Sequence, residues 1–150
     1  MTPKKFFVVS GKASSSISEL NAFDEALAKA GIAQCNLVPV SSILPKGVEQ
    51  VEPFEITPGS ITYVVLAKMD GKEGETIGAG IAWAMGEKHG IVVEDHDHDK
   101  ESVEKQLHRK LMEMAKIRGL KISNYEMRIE SMKVDDKYGC ALAVLVFVPE

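Results

Sequence analysis

The stretch Asn36-Leu37-Val38-Pro39-Val40-Ser41-Ser42-Ile43-Leu44-Pro45 sets two adjacent serines where an apolar strand ends and a proline turn begins. A serine pair in such a place ordinarily does no more than form a turn, because its hydroxyls bond readily to nearby backbone groups. Ser14-Ser15-Ser16 shows how common such runs are in this same chain. The apolar residues on both sides open a second reading, since they can strain the backbone and exclude water. A hydroxyl held against the preceding carbonyl can attack it and shift the acyl group from nitrogen to oxygen. Elimination at the second serine then breaks the chain. Hydrolysis of the resulting dehydroalanine leaves an N-terminal pyruvoyl group, a built-in electrophilic carbonyl able to act as the electron sink usually supplied by pyridoxal phosphate.

Other candidate sites are weaker. Gly78-Ala79-Gly80 begins like a dinucleotide fingerprint, but Trp83 stands where the third glycine belongs. Close packing against a helix is the better reading of those glycines. His96 and His98 lie within Asp95-His96-Asp97-His98-Asp99, residue types that suit zinc or another divalent cation. The plainer reading is a solvated loop in which Asp97 or Asp99 caps the following helix. No further ligand cluster is visible in the sequence, so no metal site is expected. His89 and His108 stand singly on polar stretches and carry no signal.

The elements that must position the serine pair read as mixed α and β. Lys5–Ser10 has the pattern of a strand, followed by a flexible stretch over Gly11–Ser16. Ser16 and Glu19 have the spacing of a capping box, and Leu20, Phe23, Leu27 and Ala30 recur at helical spacing before Gly31. Gln34–Val40 is a strand, with Pro39 hinting at an edge or a bulge. Ile61–Ala67 and Gly90–Asp95 are strands, and the small-residue run Glu75–Met85 is expected to be a helix. The clearest helix is Glu101–Arg118, with Val103, Leu107, Leu111, Met114 and Ile117 in one stripe. Tyr125–Val134 and Cys140–Val148 read as a closing hairpin across Asp135-Asp136-Lys137. With several strands adjacent in sequence, the class is α+β in layers rather than a doubly wound parallel sheet.

Composition sets the outer limits. A chain of 150 residues suits a single domain. Its apolar fraction of 45%, charged fraction of 27% and net charge of −4 argue against a general phosphate-binding surface, hence against nucleic acid. Cys35 and Cys140 are too few and too far apart for a disulfide framework or a CxxC zinc site. The longest apolar run, Cys140–Val148, is nine residues, against the ~20 that a membrane helix needs. Lys4-Lys5 precedes an apolar stretch too short for a secretory signal. The expectation is a soluble, cytoplasmic domain that meets neither membrane nor nucleic acid.

Several short segments, taken in order, resemble the pyruvoyl-dependent arginine decarboxylases. They are Leu20-Asn21-Ala22-Phe23-Asp24, Asn36–Pro45, Gly74-Glu75-Thr76-Ile77, Gly90-Ile91-Val92-Val93-Glu94, Met114-Ala115-Lys116, Arg128-Ile129-Glu130-Ser131 and Gly139-Cys140-Ala141. Matches in one order over nearly the whole chain are more specific than any one of them. The resemblance implies self-cleavage between Ser41 and Ser42 into residues 1–41 (the β chain) and 42–150 (the α chain), with Ser42 becoming the pyruvoyl group. It implies that Asn36 assists processing and lines the site, that Glu94 is the general acid and that Asp24 receives the substrate guanidinium. It also implies an α/β/β/α sandwich and a trimer with sites between neighbouring subunits. The Asp- and His-rich segment after Glu94 departs from the family pattern.

The chemistry each residue would perform can be stated separately. The α-amine of arginine condenses with the Ser42-derived ketone to a Schiff base, loss of carbon dioxide leaves a carbanion, and an acid returns a proton to give agmatine. Glu94 follows Ile91-Val92-Val93, so partial desolvation would raise its pKa toward a useful value; otherwise it is a plain strand-end glutamate. Asp24 is either a helix-surface charge or a carboxylate matched to the planar guanidinium fork. Asn36 either pairs locally or offers its amide to the Ser41 carbonyl as that carbon becomes tetrahedral. Two other functions stay open: a pyruvoyl decarboxylase of another amino acid, and a non-enzymatic module, either an uncleaved oligomer or a metal-binding protein using Asp95–Asp99.

Overall fold

The computed structural model describes Met1–Glu150. Its elements follow the chain as β1 (Lys5–Ser15), α1 (Glu19–Ala30), β2 (Asn36–Pro39), β3 (Ile43–Leu44), β4 (Glu49–Gln50), β5 (Ile61–Lys72), β6 (Thr76–Met85), β7 (Gly90–Asp97), α2 (Lys100–Ile117), β8 (Glu126–Lys133) and β9 (Tyr138–Phe147). The strands form two sheets, one ordered β2-β5-β9-β1-β4 and the other β3-β7-β6-β8.

Alternation along β9 explains the stacking. Cys140, Leu142, Val144 and Val146 pack toward α1, whereas Ala143, Leu145 and Phe147 pack toward the second sheet. A strand covered on both faces loses the polar half of its pattern, so it reads as one unbroken apolar run. On the far side, Val103, Leu107 and Leu111 of α2 bury against Ala82, Ile91 and Val93 of the second sheet. The layers are therefore α1, sheet, sheet and α2, the expected α/β/β/α sandwich. No helix is long and apolar enough to cross a membrane.

Four local expectations give way. Residues 75–85 are not a helix but contain β6, flanked by β7 and β8 and buried from Ile77 to Ala84. Small residues serve packing there: a Cβ at Gly80 would stand 3.0 Å from Leu107 and Val103 of α2. The stretch after Ser10 is not flexible, because β1 stays paired with β9 as far as Ser15–Tyr138. The capping residue of α1 is Ser18 rather than Ser16, its Oγ accepting from the Asn21 N–H at 3.0 Å. Finally, β8 and β9 form no hairpin. β8 is an edge strand of the second sheet and β9 the centre of the first, so the Asp135–Lys137 connection passes between sheets.

The helical faces also rotate from their expected settings. α1 buries Ala22, Ala26, Leu27 and Ala30, while Leu20 is exposed. The alanine row lets α1 sit directly on β1 at Gly11, where a Cβ would run into the Ala26 carbonyl oxygen. α2 buries Val103, Leu107, Leu111 and Ala115 and leaves Ile117 exposed. Its expected cap is present, Asp99 Oδ1 accepting from the Ser102 N–H at 2.7 Å. Gly31 ends α1 at φ 85°, where only glycine sits without strain. Pro39 lies on edge strand β2, where a missing N–H costs no ladder bond.

Candidate active site

Ser41 and Ser42 lie where the chain crosses from one sheet to the other. Just before them, Val40 donates its N–H to the Val64 carbonyl of the first sheet at 2.8 Å. Just after, the Ser42 carbonyl accepts the N–H of Val92 in the second sheet, also at 2.8 Å. The Ser41–Ser42 peptide bond is thus held from both ends by different sheets. Neither serine adopts a positive φ, so the backbone stores no strain of that kind. Ser41 is exposed and Ser42 half-buried.

Both serines line a cavity of about 1170 Å³. Val65 of the first sheet and Val92 and Val93 of the second give it apolar walls, and Glu94 projects into it. β3 is only two residues long and pairs with β7 at Ile91 and Gly90. Beyond Val92 the edge of β7 therefore has no strand beside it, and this gap brings Glu94 and Ser42 onto one wall. Partial loss of water pushes the Glu94 carboxyl above its ordinary pKa, and the charges of Lys110 and His96 pull it part of the way back. The direction is the one expected of a group that must hold a proton near neutrality.

The opposite wall comes from α2, whose sequence pattern announces only a packing helix. Gln106, Lys110, Glu113 and Ile117 follow one another at helical spacing along the cavity, beside the buried stripe. Lys110 Nζ donates to the Glu94 carbonyl at 3.2 Å and pairs with Asp95 Oδ1 at 3.3 Å. The signal was present in the sequence as a polar stripe flanking an apolar one, but nothing in the stripe says which cavity it faces.

Asn36 and Asp24 do not line this cavity. Asn36 begins β2, five residues before Ser41, and at ~3.3 Å per strand residue it stands ~10 Å beyond Pro39. Its Nδ2 donates to the Gly59 carbonyl at 2.9 Å. Asp24 is exposed on α1, the outer layer opposite α2. Its neighbour Phe23 is half-buried, with the Lys68 ammonium 4.5 Å above the ring.

The Asp95–Asp99 segment is tied to α2. Asp95 is buried and paired with Lys110, Asp97 accepts from Gln106 Nε2 at 2.8 Å, and Asp99 caps the helix. No three His, Cys, Asp or Glu side chains come together as metal ligands.

The surroundings of Ser42 suit a small keto-acyl group, with a main-chain carbonyl fixed by Val92 and valine walls on either side. Comparison with known proteins points the same way. Residues 5–150 match the family model described as pyruvoyl-dependent arginine decarboxylase. Proteins of that name from Thermococcus sibiricus and Methanopyrus kandleri are 34% and 38% identical, over 99% and 97% of this chain and 97% of each relative. The one from Methanothermobacter thermautotrophicus is 38% identical over 87% of this chain and 88% of its own length. A solved pyruvoyl-dependent histidine decarboxylase shares the fold at a TM-score of 0.50 and 12% identity, over 63% of this chain and about half of its own, 53%. On the full-length match and these identities, the chain belongs to the pyruvoyl-dependent arginine decarboxylase family.

Proposed function

We propose that the chain cleaves itself between Ser41 and Ser42 and that the processed protein converts L-arginine to agmatine and carbon dioxide. The observation that carries this reading is the shared cavity wall of Ser42 and Glu94, tied together through the Ser42–Val92 hydrogen bond. Family membership supports the choice of arginine.

In the cleavage step, Ser42 Oγ adds to the Ser41 carbonyl carbon and displaces the Ser42 nitrogen, giving an ester and a free amine. Elimination releases Ser41 as a carboxylate and leaves dehydroalanine at position 42. Hydrolysis there releases ammonia and leaves the pyruvoyl group on the 42–150 chain. That group supplies an electrophilic keto carbon and a sink for the electrons freed by loss of carbon dioxide.

The side chains do the rest. A Glu94 carboxyl oxygen, its pKa raised by partial desolvation, delivers a proton to the substrate α-carbon. The valine walls exclude water from that carbon. Asp24 offers two carboxylate oxygens to the guanidinium, and Asn36 offers its amide to the Ser41 carbonyl during processing. Both lie outside the cavity of their own chain, so the reading seats them against a neighbouring subunit's cavity in a trimer. Exposure of Asp24 on α1 and the edge position of β2 support that arrangement. The setting is read as cytoplasmic, where free thiols such as Cys35 and Cys140 stay reduced.

Intact-mass measurement tests the reading at once. Two masses for residues 1–41 and 42–150, the latter short of its serine nitrogen, together with agmatine formed from arginine, are the expected result. A single uncleaved chain without decarboxylase activity overturns it.

A further inference from the structure

Three residues past its last pairing with β3, at Ile91, β7 still has a main-chain carbonyl to satisfy. Val92 turns its N–H to that edge and gives it to Ser42. Peptide groups alternate along a strand, so Glu94 presents its carbonyl on the same side, where β3 no longer runs. Lys110 reaches across from α2 and takes that carbonyl at 3.2 Å. The same ammonium lies 3.3 Å from Oδ1 of Asp95, whose side chain is 8% exposed. Asp95 Oδ1 also accepts the His96 N–H at 2.8 Å, while Oδ2 is buried without a partner. One lysine thus closes the strand edge, neutralises a buried carboxylate and sets a positive charge beside the Glu94 carboxyl.

We propose that Lys110 is the positioning residue for Glu94, fixing the backbone that carries it through the Glu94 carbonyl and placing a cation, anchored on Asp95, near its side chain without pairing with it. This rests on the reading of Glu94 as the proton donor. A buried carboxylate with one unpaired oxygen keeps the ammonium in place, because leaving Asp95 without a cation is costly. The ammonium then opposes the desolvation that raises the Glu94 pKa. The other charged or titratable groups that share the cavity with Glu94 are Arg109, Glu113 and Arg118 of α2, with His96 acting on it from β7, and, once the chain is cleaved, the α-carboxylate left on Ser41. Of these, Lys110 alone is bonded to the Glu94 residue itself.

The test uses the cleaved protein and two variants. Lys110→Gln keeps a donor for the Glu94 carbonyl but loses the charge, whereas Lys110→Arg keeps the charge. The Glu94 carboxyl is followed by carbon-13 NMR, its signal assigned by its loss in Glu94→Gln. Its titration midpoint is expected to move to higher pH in Lys110→Gln and to return toward the parent value in Lys110→Arg. The alkaline limb of kcat for arginine should move the same way, since a donor with a higher pKa stays protonated to higher pH. A well-folded Lys110→Gln protein with the parent midpoint overturns the proposal, as does an arginine variant shifted as far as the glutamine one. Salt provides a measurement on the parent alone: the half-exposed ammonium is screened at high ionic strength, so the midpoint should rise. A midpoint indifferent to salt overturns the charge role without any variant. Absence of agmatine formation by the parent speaks against the proposed function, whereas the NMR midpoint judges Lys110 independently.

Discussion

Val92 donates its main-chain N–H to the carbonyl of Ser42 at 2.8 Å, and this bond sets the serine two residues from Glu94 along the edge of β7. Ser42 and Glu94 therefore share one strand register, although they are far apart in the chain. The bond uses only backbone atoms. Substitution of the serine side chain leaves it intact.

Ser42→Ala should accordingly give a folded, uncleaved and inactive protein. The methyl group cannot add to the Ser41 carbonyl, and the loss of one oxygen from a half-buried position disturbs little packing. Mass spectrometry should find one chain of the full 150 residues, with the circular dichroism of the parent. Normal cleavage of this variant removes Ser42 from the chemistry.

Asp24→Asn should still cleave but bind arginine more weakly. Loss of a charge-assisted pair costs about 1.5–3 kcal/mol, hence roughly ten- to a hundredfold in affinity. Because Asp24 lies off the cavity of its own chain, the trimer reading adds a sharper test. At low arginine, co-assembly of the weakened Asp24→Asn and Glu94→Gln chains should raise activity above that of either variant alone, with about a quarter of the sites complete when equal amounts mix at random across a heterologous interface. Mixed assemblies no more active than the separate variants would place Asp24 elsewhere.

Much of this architecture was legible in the sequence, and the failures have identifiable physical causes. β9 announced itself because nine consecutive apolar residues need cover on both faces. β6 did not, because Gly78, Ala79, Gly80, Ala82 and Ala84 carry too little side chain to display a period; the small size of Gly78, Gly80, Ala82 and Ala84 answers to α2 rather than to local propensity. The false hairpin had the right strands and a polar turn, yet adjacency in sequence cannot say which sheet a strand joins. Ser42 and Glu94 could be picked out from their apolar contexts and the family resemblance. Lys110 could not, since its partners are a carbonyl 16 residues away and a carboxylate 15 residues away.

Gly11→Ala should destabilise the protein more than Gly78→Ala. At Gly11 the new methyl meets the backbone of Ala26 and Ala30 in α1, which cannot swing aside. At Gly78 its nearest neighbours lie at 3.4 and 3.5 Å, ordinary contact. A loss of about 1–3 kcal/mol is expected for the overpacked site. Denaturant titration of the Ser42→Ala background, which avoids the complication of two chains, gives the comparison. Equal losses at the two positions contradict the packing account.

Cys140 should be inert while the protein is folded. Burial, reinforced by Asp70, pushes its thiol up to about 12 from an ordinary 9.0. A raised acid pKa contributes stability that is complete below the unfolded value and drains away as pH climbs through the folded one. Stability should therefore decline from about pH 9 toward 12, and less steeply in Cys140→Ala. Near neutrality a thiol reagent should label half-buried Cys35 and reach Cys140 only in denaturant. Equal labelling rates in the native protein contradict this assignment.

Glu94→Gln separates processing from turnover. Cleavage needs the Ser42 hydroxyl, the Ser41 carbonyl and a group that polarises it, and none of these steps requires an acid at position 94. Returning a proton to the substrate α-carbon does. Glutamine keeps the shape and most of the hydrogen bonding of the side chain but has no acidic proton, and the raised Glu94 pKa shows what is lost: a carboxyl that partial burial keeps protonated further toward neutral pH. General acid catalysis is worth ~10²–10⁴-fold, so turnover should fall by about that factor while both chains still appear by mass. Borohydride should still trap arginine on the 42–150 chain, because capture of the amine precedes the step that needs the acid. Parent-rate decarboxylation by a normally cleaved variant would remove Glu94 as the proton donor and direct the search along the same cavity wall, to Glu113 of α2.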